Sequence, residues 1–159
     1  MTTESLLYGA AKNFFGVREV DGPASNPIIQ KWILNAASWL DPDDSETAWC
    51  GCFRAALSTL VGSDVPAASY RAVNWSEYGE GIMHLPRSKW PQGATVVIRT
   101  KAGYHVALLD RIEGDTIYLL GGNQSNKVSI APFPLESVRA VRIERETACT
   151  CRRCQLSQG

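Results

Sequence analysis

Cys50 lies in the segment Thr47-Ala48-Trp49-Cys50-Gly51-Cys52, at the start of a run in which Phe53, Ala56, Leu57 and Leu60 recur at the helical period. A thiol in the first turn of a helix faces unpaired N–H groups carrying partial positive charge, which favours the nucleophilic thiolate. Such a nucleophile needs a base within reach, and the chain offers two histidines, His84 and His105. His84 stands in the loop-like GIMHLPRSKW, which frames no partner for it. His105 belongs to the alternating run YHVALLD, which places His105 and the small Ala107 on one strand face and Tyr104, Val106 and Leu108 on the other. The base is in turn oriented by a third group. Asn123 ends the next apolar run, LLGGNQ, and a hairpin would bring its amide oxygen to the imidazole N–H. Asp110 is five residues from His105 along an extended chain, about 16 Å, too far for contact. Gln124 adjoins Asn123, so alternation turns it to the opposite face unless the Gly121-Gly122 pair breaks the strand. Taken singly, these are a packing cysteine, a half-buried histidine and a turn asparagine. The sequence of a helical cysteine followed by histidine and asparagine on successive strands sets a Cys-His-Asn nucleophilic set beside those separate roles, and on the residues alone both readings stand.

The elements that must position these groups fall into two blocks. Residues 5–15 carry Leu6, Leu7, Ala10, Ala11, Phe14 and Phe15 at helical spacing, and GVREVDGPASNP then reads as a loop. Asn26 followed by Pro27 is a helix start, with Ile28, Ile29, Trp32, Ile33, Ala36, Ala37 and Leu40 on one face. Thr47 is the expected cap of the Cys50 helix and Gly62 its expected end, with a shorter helix near 67–78. From residue 90 the pattern changes to short β-branched runs, ATVVIRT, YHVALLDRI, TIYLLGG, KVSIAP and VRAVRIE, with a hairpin at Glu113-Gly114-Asp115. Helices followed by antiparallel strands predict an α+β fold, with N-terminal helices packed on one antiparallel sheet. Residues 1–145 form a single domain in this reading, and 146–159 form a Cys-rich tail outside the pattern, expected to be loose.

Composition narrows the function classes. The 159 residues are 45% hydrophobic and 20% charged, ordinary for a globular domain and unlike a disordered chain. Sixteen basic residues balance sixteen acidic ones, so nucleic acid is not the expected partner. No apolar run approaches the about 20 residues of a membrane span, and the N-terminal stretch carries Glu4 without a basic leader region, so neither membrane insertion nor a Sec signal is expected.

The segments GVREVDGPASNPII, ETAWCGCF, GYHVAL and LLGGNQSNKVSIAPFP, together spanning roughly residues 5–143, resemble a family of phage and bacterial cell-wall hydrolases within the NlpC/P60 and CHAP group of cysteine peptidases. The resemblance implies a papain-like fold, with Cys50 as nucleophile, His105 as base and Asn123 as third member. It implies a peptidoglycan amidase or endopeptidase that needs no cofactor. The expected form is a monomer made in the cytoplasm and acting in the periplasm or cell wall. A phage endolysin is the first expectation. An antibacterial effector, with an inhibitor or immunity protein as partner, and a non-catalytic binding protein on the same fold are the alternatives. Two departures stand out: Cys52, where the family pattern has a small residue, and the Cys-rich tail.

Trp49, Trp75, Glu19 and Gln124 are the residues expected to line the cleft toward substrate, with core packing the competing role for the tryptophans. Cys52 is off the Cys50 helix face and reads as core. Cys149, Cys151 and Cys154 supply three of the four ligands that structural zinc wants. Asp41, Asp43, Asp44 and Glu46 are reminiscent of a calcium loop, but Glu46 stands where the EF-hand pattern needs glycine. Neither metal is therefore expected.

Overall fold

The computed structural model describes residues 1–20 and 24–145; the zinc and flexibility expectations for the tail lie outside the described residues. Three helices, α1 (Thr3–Lys12), α2 (Pro27–Ala36) and α3 (Cys50–Val61), precede six strands: β1 (Glu80–Gly81), β2 (Thr95–Thr100), β3 (Gly103–Glu113), β4 (Thr116–Gln124), β5 (Lys127–Pro134) and β6 (Val138–Ile143). The strands form one antiparallel sheet in the order β1-β6-β2-β3-β4-β5. The fold is α+β, as the order of the sequence patterns predicts.

Local chemistry explains the start of α2 and the end of α3. Asn26 caps α2 by accepting from the Ile28 N–H at 2.9 Å, with Pro27 in the first helical position. Gly62 closes α3 in the left-handed conformation, at φ 76°. Thr47 does not cap α3: its hydroxyl donates to the Asp41 carbonyl, Trp49 holds the cap position, and no side chain bonds the first turn. α1 stops short of residue 15, and the helix expected near 67–78 is a 3-10 segment, Ala72–Glu77.

The core lies on both faces of the sheet. On one face α1, α2 and α3 pack Leu7, Ile29, Trp32, Ile33, Phe53 and Leu57 against Leu108, Leu120 and Val128. On the other, Val96, Ile98, Ala107, Leu109, Ile117 and Leu119 pack with Ile82 and Trp90 from the segment before β2. Val106 and Leu108 thus face the helices while Ala107 faces away, the alternation expected of β3. Gly122 permits the close approach of α3 to β4, since a Cβ there would fall 2.6 Å from the Trp49 ring and 2.9 Å from Phe53 Cβ. The stretch 16–19 runs beside the start of β5, with Gly16 N–H donating to the Val128 carbonyl, Val128 N–H to Val17, and Glu19 N–H to Asn126.

Candidate active site

α3 begins at Cys50, so the sulfur sits at the helix N-terminus with no side-chain cap competing for the first N–H groups. The helix start is pressed against the 69–70 backbone: a Cβ on Gly51 would lie 2.6 Å from the Ser69 carbonyl oxygen and 2.8 Å from that of Tyr70. A side chain at residue 51 would push the helix start away from this backbone. Cys50 packs with Val106 of β3, Val97 of β2 and Ala140 of β6, and it faces a cleft of about 490 Å³ lined also by Tyr104, His105, Asn123, Gln124 and Phe133.

His105 and Cys50 line the same cleft, and each acts on the other's titration. Burial alone would raise the thiol, but the His105 bond and charge, with backbone hydrogen bonds at Val106 and Gly51, outweigh it and hold Cys50 below the usual thiol range. Burial pulls His105 the other way, downward, and its bonds to Cys50 and Gln124 bring it net above its ordinary value. The two shifts run in the directions that favour transfer of the proton from sulfur to imidazole.

The third position differs from expectation. His105 Nε2 lies 2.9 Å from Gln124 Oε1, and Asn123, although it lines the cleft, is not the bonded partner. The cause is a register shift in the β4–β5 pairing between Gly121 and Gln124, with Asn123 at φ 56°. The bulge reverses the strand parity, so Gln124 takes the face that simple alternation assigns to its neighbour. Ser125 and Asn126, both with positive φ, then form the two-residue turn that pairs Gln124 with Lys127. Gln124 is buried, and its amide nitrogen donates to the Leu119 carbonyl at 3.0 Å and the Ser129 carbonyl at 2.7 Å. That fixes the oxygen toward His105 as acceptor, requires the proton on Nε2, and leaves Nδ1 to face the thiol. Gly121 makes the room: a Cβ there would lie 2.6 Å from Ala107 Cβ and 2.8 Å from Gln124 Oε1.

The other expected cleft residues stand elsewhere. Trp49 is fully buried in the helix-side core, and its indole N–H donates to Glu19 Oε1 at 2.9 Å. Glu19 therefore anchors the residue before the nucleophile rather than meeting substrate. Trp75 is also fully buried, donating to the Ser69 carbonyl at 2.8 Å beneath the Arg54 guanidinium. Gln124 lines the cleft but spends its polar atoms on His105 and the backbone. Sequence alternation missed its role; the signal available was the run of residues tolerant of positive φ from Gly121 to Asn126.

Cys52 is buried in the helix-side core, and burial, then the Cys50 charge, pushes its thiol up to about 12. His84 is exposed. Asp110 accepts from the Tyr8 hydroxyl and pairs with Arg111. In the Asp41–Glu46 loop, Asp41 and Asp43 accept from backbone N–H groups two residues on, and Asp44 accepts from Asn26 N–H at 2.8 Å. Among the described residues no group of three or more His, Cys, Asp or Glu is arranged to hold a metal ion, and no helix is long and apolar enough to cross a membrane.

Neither the protein-family models nor the curated proteins compared with this sequence gave a match.

Proposed function

We propose that this chain is a cysteine hydrolase of peptidoglycan, an amidase or endopeptidase on a papain-like domain. The observation that carries the reading is the Cys50–His105–Gln124 set: a helix-start thiol sharing one cleft with an imidazole whose Nε2 is held by a buried, fully engaged amide. Cys50 thiolate attacks the carbonyl carbon, and His105, having taken the thiol proton, gives it to the leaving amine. The Cys50 backbone N–H, at the uncapped helix start, donates to the oxyanion. Water, deprotonated by His105, then releases the acyl group from sulfur and restores the thiol. Gln124 takes the positioning role expected of Asn123. The peptidoglycan substrate rests on the family resemblance of the sequence segments, and a phage endolysin is the setting that this resemblance favours.

The test is zymography on purified murein with the full chain, followed by mass spectrometry of the released fragments. The wild type clears the gel and leaves new amine and carboxylate ends, and Cys50→Ala does not. Clearing by Cys50→Ala, or fragments cut in the glycan instead of at an amide, overturns the proposal.

A further inference from the structure

Beyond the Cys50–His105 cleft, across a wall formed by Thr100 and Phe133, lies a second hollow of about 640 Å³. Thr100 and Phe133 line both, so the two hollows adjoin across these side chains. The charge of the second hollow is lopsided. Arg99, Lys101 and Arg139 line it, against the single carboxylate of Glu136. All three cationic residues are exposed.

The arginines are held in place without being neutralised. Arg99 stacks its guanidinium 4.6 Å from the centroid of Tyr104, its cross-strand neighbour and a residue of the catalytic cleft. Arg139 falls at the register shift between β2 and β6 and donates from Nη1 to the carbonyls of Glu136, 2.8 Å, and Val138, 3.2 Å. Neither has a carboxylate within ion-pair distance among the described residues. Arg111, on the same sheet, shows the contrast: it stacks on Tyr118 and is paired with both Asp110 and Glu113. A stacked or carbonyl-braced guanidinium keeps a planar fork of donors, pre-set for bidentate capture of a carboxylate.

We infer that Arg99 and Arg139, assisted by Lys101, form a carboxylate-binding subsite that selects substrates carrying a free carboxylate near the scissile amide. The inference rests on the reading of the cleft as a peptidoglycan hydrolase site and adds a preference for anionic peptides over their amidated forms.

The experiment uses calorimetric titration of the Cys50→Ala chain with two probes: a peptidoglycan stem peptide with free carboxylates and the same peptide with those carboxylates amidated. The free-acid peptide should bind at least about 10-fold more tightly, with the difference shrinking as salt rises. Arg99→Gln/Arg139→Gln should erase the difference, and Arg99→Lys should keep part of it. Equal affinity for both peptides, a preference that survives the double substitution, or no binding of either peptide overturns the subsite. The hydrolase reading fails separately: carboxylate-selective binding without murein cleavage by the wild type sinks catalysis and leaves the subsite standing. Cleavage without selectivity does the reverse.

Discussion

The amide oxygen of Gln124 and Nε2 of His105 stand 2.9 Å apart, and the direction of that bond is set from behind, by the Leu119 and Ser129 carbonyls that hold the Gln124 nitrogen. Gln124→Ala should therefore lower kcat by about 100-fold or more through loss of tautomer and orientation control, with KM little changed. Asn123→Gly, which suits the positive φ at that position, should keep activity within about 5-fold. Steady-state kinetics on released muropeptides decides it: a large loss in Asn123→Gly with full activity in Gln124→Ala returns the third role to Asn123.

Gly121 offers an indirect route to the same bond. Alanine there would press on Ala107 and on Gln124 Oε1. Overpacking of this kind costs about 1–3 kcal/mol, so the domain should stay folded by circular dichroism while kcat falls with the displaced glutamine.

The pH dependence follows from two opposite shifts. Cys50 is held low, so its thiolate persists to lower pH than an ordinary thiol near 8.5. His105 is held high, so its protonated form survives above its usual midpoint near 6.5. Iodoacetamide labelling of Cys50 should rise with a midpoint below 8.5. In His105→Ala the opposing bond and charge are gone while much of the burial remains, so the midpoint should move upward. An unchanged midpoint in that variant would separate the two residues chemically.

Cys52 should be inert toward the same reagent in the folded chain, because its thiol is buried and its pKa raised. Cys52→Ala should leave kcat and KM unchanged and cost about 1–2 kcal/mol from the small cavity, read as a drop in Tm. Rapid labelling at Cys52 by peptide mapping would contradict its place in the core.

Glu19 is expected to act on stability. Glu19→Ala leaves the buried Trp49 indole without its acceptor, a loss of about 1–3 kcal/mol. At about 2–4 °C per kcal/mol for a domain of this size, the shift is measurable by thermal melting. Glu19→Gln keeps an oxygen for the indole and should recover most of it.

The sequence carries the architecture wherever one local force dominates. The Asn26-Pro27 start, the Gly62 stop and the succession of β2 to β6 are legible because capping, left-handed φ and two-residue periodicity act within a few residues. The meeting of Cys50 and His105 in one cleft is only half legible: the helix start and the strand can be read, but alternation puts His105 with Ala107, on the face away from the helices. What alternation misassigns is Gln124: a bulge shifts parity by one, and its position depends on Gly121, Ala107 and the β4–β5 register together. Residue type does not say which way the Trp49 and Trp75 rings turn; their indole partners, Glu19 and the Ser69 carbonyl, are fixed by the folded chain and not by the local pattern.

The strand that follows the Gln124 turn, β5, is one of the two edge strands of the sheet. Its first half is laced to residues 16–19, and its second half contains Pro132 and Pro134, which have no N–H to offer. A bare outer strand beside the Gln124 turn would invite a second chain to add on and drag the register with it. Here the stretch that reads GVRE acts as a selvedge, so that concentrated protein should resist edge-to-edge aggregation at the border where a one-residue slip would cost the glutamine its place.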